Sequence, residues 1–391
     1  MGHWEISAER RTELKRIGLI VISFMMLIGI TAGLILTHHL LASPQAQEVD
    51  PQEAADLAAL AKVGPIDTHA HVFVNSAAYY QMMKDLNLRT VNICVVSNKH
   101  EPPWHTQAAQ FRDDMMVHRG SGGRAGVCTT FDPYPFQDKN FARNTINILN
   151  SNFREGAIAV KIWKNIGMDV RYPSGKYVMP DNPAYEPIYK DIAAQNKTMI
   201  AHLAEPDSCW ESFEQMGPQS PDYNYYKKNP KWHFYGRKDV PSKAEILKAR
   251  DHLLEMNPNL RVVGAHLGSM ETNVDEIAKR FDRYPNFNVD TAARIAYLMM
   301  QPRAKVRAFL IKYQDRICYG TDGGLNRRNV KDTAQVLKHW KYQYAMSWKY
   351  FATDEKFEYR GIKTQGLKLP MSVVRKIYHG NAARLFPGLI N

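Results

Sequence analysis

Residues 64–75 read GPIDTHAHVFVN, an apolar run that carries an acid and two histidines one residue apart. Two residues at positions i and i+2 of a β-strand point to the same side of that strand. As a strand, this run would therefore present the rings of His69 and His71 to one ion. The chain has 14 histidines, so the spacing by itself is weak evidence, and the structural context has to come from the rest of the sequence.

Seven further short runs rich in apolar and β-branched residues follow along the chain, and longer segments with a helical pattern separate them. Repeated strand–helix units predict a parallel sheet whose strands are buried on both faces. Eight such units predict an α/β fold, a (β/α)8 TIM barrel over residues 64–391. The predicted strands span residues 64–71, 90–98, 125–133, 157–165, 198–206, 261–269, 286–294 and 316–324.

Polar residues follow the apolar core of nearly every predicted strand. In a TIM barrel the carboxyl ends of the strands converge on one rim, where the connecting loops build the active site. Imidazole nitrogen and carboxylate oxygen suit zinc, and they also suit manganese, iron or nickel. The sequence therefore predicts a divalent-metal site at this rim. The residues that the strand ends bring there are His69, His71, Lys161, His202, His266 and Asp322.

The N-terminal part of the chain has a different character. Residues 17–37, IGLIVISFMMLIGITAGLILT, are uncharged and mostly apolar, and about 20 such residues cross a bilayer. We interpret this segment as a transmembrane helix. A cleaved signal peptide is the main alternative, but its apolar core usually has about 7 to 15 residues, and a buried soluble helix is the third reading.

Basic residues set the orientation of this helix, because Arg10, Arg11, Lys15 and Arg16 precede it. The positive-inside rule places residues 1–16 in the cytoplasm and the main domain outside, in the periplasm if the protein is bacterial. Residues 38–63 are then a polar linker that continues into a lead-in helix.

The composition indicates a globular domain with a large core, since 45% of the residues are hydrophobic and 23% are charged. The net charge of +12 suits an anionic membrane or an acidic substrate, although a solvated surface is the simpler explanation. No segment resembles a nucleic-acid-binding motif. The four cysteines predict neither a disulfide framework nor a metal site, and three of them lie in apolar runs where they fit buried thiols.

Two long segments interrupt the strand–helix repeat. Residues 207–240, after the fifth strand, are crowded with aromatic residues and predict a lid over the pocket, with an interaction surface as the alternative. Residues 325–369, after the eighth strand, carry aromatic residues at partly helical spacing. This spacing predicts a small α-helical addition to the barrel or a homodimer contact.

Six motifs that occur in order along residues 66–387 resemble the amidohydrolase superfamily. They are IDTHAH, VKIW, AHLAEP, GAHLGS, YGTDGG and IYHGNAARLF. The resemblance is to the amidohydrolase-related branch, which includes aminocarboxymuconate-semialdehyde decarboxylase. It implies one divalent metal ion, with zinc favoured, and the implied ligands are His69, His71, His202 and Asp322.

The resemblance also implies roles for the remaining polar residues. His266 would act beside the metal as acid or base, and Asp322 would also take up the proton of the attacking water. In two-metal members a carboxylated lysine on the fourth strand bridges the ions, so Lys161 is a metal ligand only in a binuclear site. Lys161, Trp163 and His233 are the candidate substrate-binding residues, and the lysine favours a small anionic substrate.

These residues leave three functions open. The first is metal-dependent hydrolysis of an ester, lactone or amide-like bond by an activated water. The second is nonoxidative, metal-dependent decarboxylation of an unsaturated or aromatic acid, for which the same ligands would serve. The third is a tethered binding protein without catalysis, although an intact set of buried, metal-binding groups has little physical reason to persist there.

Overall fold

All eight predicted strands are present, and they lie side by side in chain order in one parallel sheet. The computed structural model describes residues 50–390. The strands are β1 Ile66–Val72, β2 Arg89–Ile93, β3 Ala125–Thr130, β4 Ala157–Ile162, β5 Thr198–Ala201, β6 Arg261–Gly264, β7 Phe287–Asp290, β8 Ile317–Cys318 and β9 Gly323–Leu325.

The last predicted strand is divided into β8 and β9. The first half pairs with β7, and the second half pairs with β1. Between the two halves, Asp322 adopts a left-handed backbone with a φ of 65°, and its N–H donates to the carbonyl of His69 at 2.9 Å. A second bond runs from the Thr68 N–H to the Tyr319 carbonyl at 2.9 Å. The end of the sheet therefore bonds to its beginning, as in a TIM-barrel-like fold.

Helices connect the strands and cover the outer side of the sheet. The main helices are α1 Pro51–Ala61, α2 Ala77–Asp85, α3 Gln107–Gly120, α4 Phe141–Glu155, α5 Glu186–Ala194, α6 Lys243–Met256, α7 Val274–Arg283, α8 Arg303–Lys312, α9 Thr333–Ala352, α10 Met371–Arg375 and α11 Asn381–Leu385. Side-chain caps mark the starts of α2, α3, α6 and α7, and at α6 Ser242 and Glu245 form a reciprocal capping box.

Both faces of the sheet are buried, as the sequence predicts. Every residue of β3 and β4 is buried, although these strands carry threonines and a lysine among their apolar residues. All four cysteines are free and buried, which confirms that they behave as small apolar side chains.

The segment 325–369 is more than the α-helical addition that the aromatic spacing predicts. It contains the 20-residue helix α9, and it also contains an antiparallel hairpin of Lys356–Tyr359 and Ile362–Gln365. The hairpin turns at Arg360 and Gly361, whose φ angles are 52° and 79°. A two-residue hairpin turn of this kind needs a positive φ at both positions, and helical periodicity gives no signal for it.

Helix α9 is held against the sheet by the buried carboxylate of Asp67 on β1. This carboxylate accepts the N–H groups of His69 and Thr321, each at 3.0 Å, and the hydroxyl groups of Thr321 and Tyr344. The indole of Trp340 on α9 also donates to the Thr321 hydroxyl at 2.9 Å. Burial raises the pKa of Asp67 to about 6, against the lowering effect of these bonds.

The predicted cytoplasmic N-terminus, the transmembrane helix at 17–37 and the first part of the linker lie outside the described residues. Within residues 50–390, no helix combines the length and the apolar character that a membrane crossing needs. The predicted lead-in helix is present as α1.

Tyr344→Phe removes one of the hydroxyl donors to Asp67 and leaves a buried carboxylate oxygen less satisfied. We expect a loss of about 1–2 kcal/mol in the free energy of unfolding, measured by denaturant titration. Tyr342→Phe on the same helix is the matched control, because Tyr342 is exposed and its change should stay within about 0.5 kcal/mol. Equal effects of the two substitutions would contradict the role assigned to Asp67.

Candidate active site

A cavity of about 780 Å³ opens at the carboxyl ends of the strands. The structure brings all the predicted polar residues of the strand ends to its wall, although they are spread over more than half of the sequence. These residues are His69, His71, Lys161, His202, His266 and Asp322.

His69 lies at the centre of this group and is almost fully buried, with 1% of its surface exposed. Its Nδ1 lies 2.8 Å from Oδ2 of Asp290, the last residue of β7. Its Nε2 lies 3.2 Å from Nζ of Lys161 and 3.5 Å from Oδ1 of Asp322. The bond to Asp290 assigns the ring proton to Nδ1, so Nε2 carries the lone pair that faces the cavity groups.

His71 shows the same arrangement two residues further along β1. Its Nδ1 lies 2.9 Å from the carbonyl oxygen of Ile93, which can only accept a hydrogen bond. Its Nε2 lies 3.2 Å from Oδ1 of Asp322. Both histidines of the opening motif therefore turn Nε2 toward the same carboxylate oxygen, which confirms that they share one side of the strand.

His266 follows β6 in a left-handed turn, with a φ of 59°. Its Nδ1 lies 2.9 Å from the carbonyl oxygen of Ala292, so its Nε2 is also left for other groups. The ring centroid of His266 lies 4.7 Å from that of His69 and 4.3 Å from that of His202. The imidazoles thus form a continuous cluster.

His202 differs from the other histidines because its Nε2 is buried and has no hydrogen-bond partner. The nearest carboxylate oxygen, Oε1 of Glu205, lies 3.7 Å away, beyond hydrogen-bond distance. Burial lowers the pKa of His202 well below its ordinary value, and the charges of His266 and Lys164 lower it further. His202 is therefore a neutral imidazole with an unused nitrogen.

Sequence reasoning missed Asp290. Besides its contact with His69, this carboxylate accepts the backbone N–H of His266 at 2.8 Å and that of Ala292 at 3.1 Å. The hydrogen bond and charge of His69 lower the pKa of Asp290, although burial alone would raise it. The sequence does indicate this residue, because Asp290 is an acid in the predicted strand 286–294, after its apolar core, as Asp322 is in the last predicted strand.

Two groups of three ligand atoms within 4.8 Å of one another occur among residues 50–390. One consists of His69, His71 and Asp322, and the other of His69, His266 and Asp290. The oxygens of Asp290 already bond to its neighbours, so the second group orients side chains, as carboxylates behind metal-binding histidines commonly do. The first group fits a divalent metal ion, since its imidazoles keep Nε2 available. His202 is in neither group.

The carboxylate of Asp322 is held ionised. Its removal from bulk water raises its pKa, but the contact with His71 and the charges of His266 and His69 lower it more, so the pKa lies well below its ordinary value. Burial lowers the pKa of the nearby Lys161 ammonium group, so this group loses its proton more readily than an exposed lysine does.

The segment 207–240 forms one wall of the cavity and is tied to the strand ends by a buried ion pair. Lys164 pairs with Glu205, and its Nζ also lies 2.7 Å from the Tyr225 hydroxyl and 4.6 Å from the ring centroid of Trp232. The Tyr226 hydroxyl donates to Oε2 of Glu205 at 3.0 Å. These aromatic residues therefore cover a charged pair that would otherwise meet water.

The structure separates the two aromatic substrate-binding candidates. Trp163 lines the cavity, and its ring packs edge-on against His202 and Trp232. His233 does not line it. Its Nε2 lies 2.8 Å from the Glu211 carbonyl oxygen, and its ring stacks on that of Tyr226, so it stabilises the segment 207–240.

Residues 172–388, more than half of the chain, match the family model described as Amidohydrolase. A comparison with curated proteins returned no match. Solved structures with a similar fold include a TIM-barrel protein from Bordetella bronchiseptica, which is 15% identical over 84% of this chain and 99% of that chain, with a TM-score of 0.48.

Two enzymes are also similar in fold. The 2,6-dihydroxybenzoate decarboxylase from Rhizobium is 13% identical, over 83% of this chain and 98% of its own, with a TM-score of 0.48. The 4-oxalomesaconate hydratase from Rhodopseudomonas palustris is 10% identical, over 83% of this chain and 96% of its own, with a TM-score of 0.43. At such scores these likenesses carry no conclusion about the reaction.

Metal content tests the arrangement directly. We expect His69→Ala to lose at least about tenfold in affinity for zinc, because it removes a ligand and also the partner of Asp290. His233→Ala is the matched control, because this histidine bonds to a carbonyl outside the cavity and should leave the metal content unchanged. Elemental analysis of the purified protein measures both. Equal metal content in the two variants would contradict the site.

Proposed function

Because the chain belongs to the amidohydrolase family, we propose that it is a membrane-anchored, metal-dependent hydrolase. It acts with an activated water on an ester, lactone or amide-like bond of a small anionic substrate. The observation that carries this proposal is the convergence of His69, His71 and Asp322 in one cavity. Nδ1 of each histidine contacts an oxygen acceptor, and Nε2 of each faces Oδ1 of Asp322.

His69, His71 and Asp322 would hold the metal ion, and the unpartnered Nε2 of His202 makes this residue the fourth candidate ligand. We propose one zinc ion, with manganese, iron or nickel as alternatives. When bound, such an ion lowers the pKa of a water molecule and polarises a carbonyl group. Lys161, whose Nζ lies 3.2 Å from Nε2 of His69, would become a ligand of a second ion if it were carboxylated, which keeps a binuclear site as the alternative.

The chain's own residues then move the protons. The low pKa of Asp322 keeps its carboxylate ionised at neutral pH, so it can accept the proton of the attacking water. His266 donates Nδ1–H to the Ala292 carbonyl, so its Nε2 carries a lone pair that can take up this proton in turn and pass it to the leaving group. Asp290 keeps His69 in the tautomer that leaves Nε2 unprotonated.

Decarboxylation of an unsaturated or aromatic acid is the second candidate function. The charge of the cavity wall favours it, because seven cationic side chains and only three acidic ones line the cavity. Such a surplus would stabilise the carboxylate of a bound acid. A non-catalytic binding protein is the third candidate, and the close grouping of His69, His71 and Asp322 counts against it.

Product analysis separates the candidates. We expect the metal-loaded protein to hydrolyse members of a panel of aryl esters and lactones, and Asp322→Asn to lower kcat at least about a hundredfold, because the substitution removes the base. Asp332→Asn is the control, since Asp332 is an exposed acid ten residues further along. Release of CO2 from hydroxybenzoates without ester hydrolysis would favour the decarboxylase. Neither activity in fully loaded protein would favour the binding protein.

Membrane anchoring rests on the sequence of residues 17–37. We expect the protein to stay in the membrane after carbonate extraction and to dissolve in detergent, because about 20 apolar residues insert stably. Deletion of residues 17–37 should release it. N-terminal sequencing is the decisive measurement, because a mature chain that begins after Ala42 or Ala46 would show a cleaved signal peptide instead.

A further inference from the structure

The cationic side chains of the cavity wall differ in how far they are already engaged. Lys164 is paired with Glu205, and Lys231 lies 2.8 Å from Oδ2 of Asp169. Arg328 and Arg360 are exposed, so water solvates their guanidinium groups. Lys161 is also buried, and its Nζ lies 3.2 Å from Nε2 of His69. Among the described arginines of this wall, Arg294 alone is buried, and its hydrogen-bonding groups are largely unused.

Arg294 lies four residues after Asp290, in the loop that follows β7. Only 9% of its surface is exposed, and it lines the same cavity as the metal-binding candidates. Its Nη1 donates to the Ala293 carbonyl at 3.2 Å, while its Nε is buried without a hydrogen-bond partner. A guanidinium group has five N–H donors, and leaving a buried charged donor unpaired is costly.

The nearest acid offsets the charge of Arg294 without using its donors. Oδ1 of Asp222 lies 3.8 Å from Nη1 of Arg294, which is within ion-pair range but too long for a hydrogen bond. Oδ2 of Asp222 already accepts the hydroxyl groups of Tyr297 and Ser208. Asp222 therefore reduces the free-energy cost of burying the guanidinium group of Arg294. The N–H groups of that guanidinium stay available to a ligand.

Arg294 shares its cavity with the candidate reacting groups, among them His202 and His266. The preceding residue, Ala293, has a φ of 55°, a left-handed conformation that disfavours residues with a Cβ. The loop therefore contains an unfavourable backbone conformation at Ala293, directly before Arg294.

We infer that Arg294 is the residue that binds an oxyanionic group of the substrate, most simply a carboxylate, through parallel N–H bonds beside the metal-binding cluster. Planar guanidinium and planar carboxylate groups match in geometry, which an ammonium group does not reproduce. The inference rests on the proposed function only in taking this cavity as the substrate site. It makes Arg294 a determinant of specificity, with no part in the proton transfers.

Calorimetric titration of the metal-loaded, detergent-solubilised full chain tests this inference with matched probes. Benzoate and phenylphosphonate present the two oxyanion types, and benzamide is the neutral counterpart of benzoate. The variants are Arg294→Gln, Arg294→Lys and, as the matched control, Arg360→Gln, which removes an exposed arginine from the same cavity wall. Metal content and the thermal unfolding midpoint establish that each variant is folded and loaded.

We expect Arg294→Gln to weaken benzoate binding at least about tenfold and to leave benzamide binding unchanged. Arg294→Lys should restore part of the benzoate affinity, because it keeps the charge and loses the fork. Arg360→Gln should change it by less than about threefold. A larger loss for phenylphosphonate than for benzoate would assign the site to a phosphate-like group instead of a carboxylate.

Two results would overturn the inference. One is equal affinity of the wild-type protein for benzoate and benzamide, or no binding of either oxyanion. The other is unaltered benzoate binding by a folded, metal-loaded Arg294→Gln or Arg294→Lys variant; if the glutamine variant does not fold, the lysine variant carries the test. These measurements need no turnover, so absence of hydrolysis would overturn the proposed function while leaving the anion site intact.

Discussion

The carboxylate of Asp67 joins the three parts of the chain on which the site depends. It accepts hydrogen bonds from β1, from the junction between β8 and β9, and from α9. A buried acid is stable only when its oxygens are this well satisfied. Because Asp67 precedes His69 by two residues and Thr321 precedes Asp322 by one, the same network sets the distance between the opening histidines and the last carboxylate.

A second constraint is the hydrogen bonding of the imidazoles. His69, His71 and His266 each direct Nδ1 to an oxygen acceptor, which leaves Nε2 of each ring for the groups of the cavity. One such contact could arise from packing alone. Three in one cavity, made to acceptors at different positions of the chain, fix the orientation of each ring, which is what a site that binds a metal ion requires.

Much of this arrangement could be predicted from the sequence. The eight strands follow from short apolar runs, and the placement of the six polar residues follows from the rule that parallel strands end on one rim. Asp290 obeys the same rule, because it is the last residue of β7. His233 was the opposite case: its aromatic neighbours suggested a pocket, but in the structure they pack on its ring.

Other features lie beyond sequence patterns because they depend on contacts between distant residues. The division of the last strand requires a left-handed Asp322, and the turn of the hairpin requires a left-handed Arg360, both at residues that rarely adopt that conformation. The buried Lys164–Glu205 pair contacts Tyr225, Tyr226 and Trp232 of the segment 207–240. Composition indicated that this segment was functional, but it could not identify the pair that the segment covers.

The loop after β7 couples the two halves of the proposed chemistry. Asp290, at its start, holds the ring of His69 and the backbone of His266, and Arg294, four residues later, faces the same cavity with unused donors. The oxygens of Asp290 accept hydrogen bonds that orient its neighbours. Asp222 offsets the charge of Arg294 from 3.8 Å, without a hydrogen bond. A single short loop would therefore fix both the orientation of the metal-binding cluster and the place of the substrate anion, so that a shift of this loop would disturb both together.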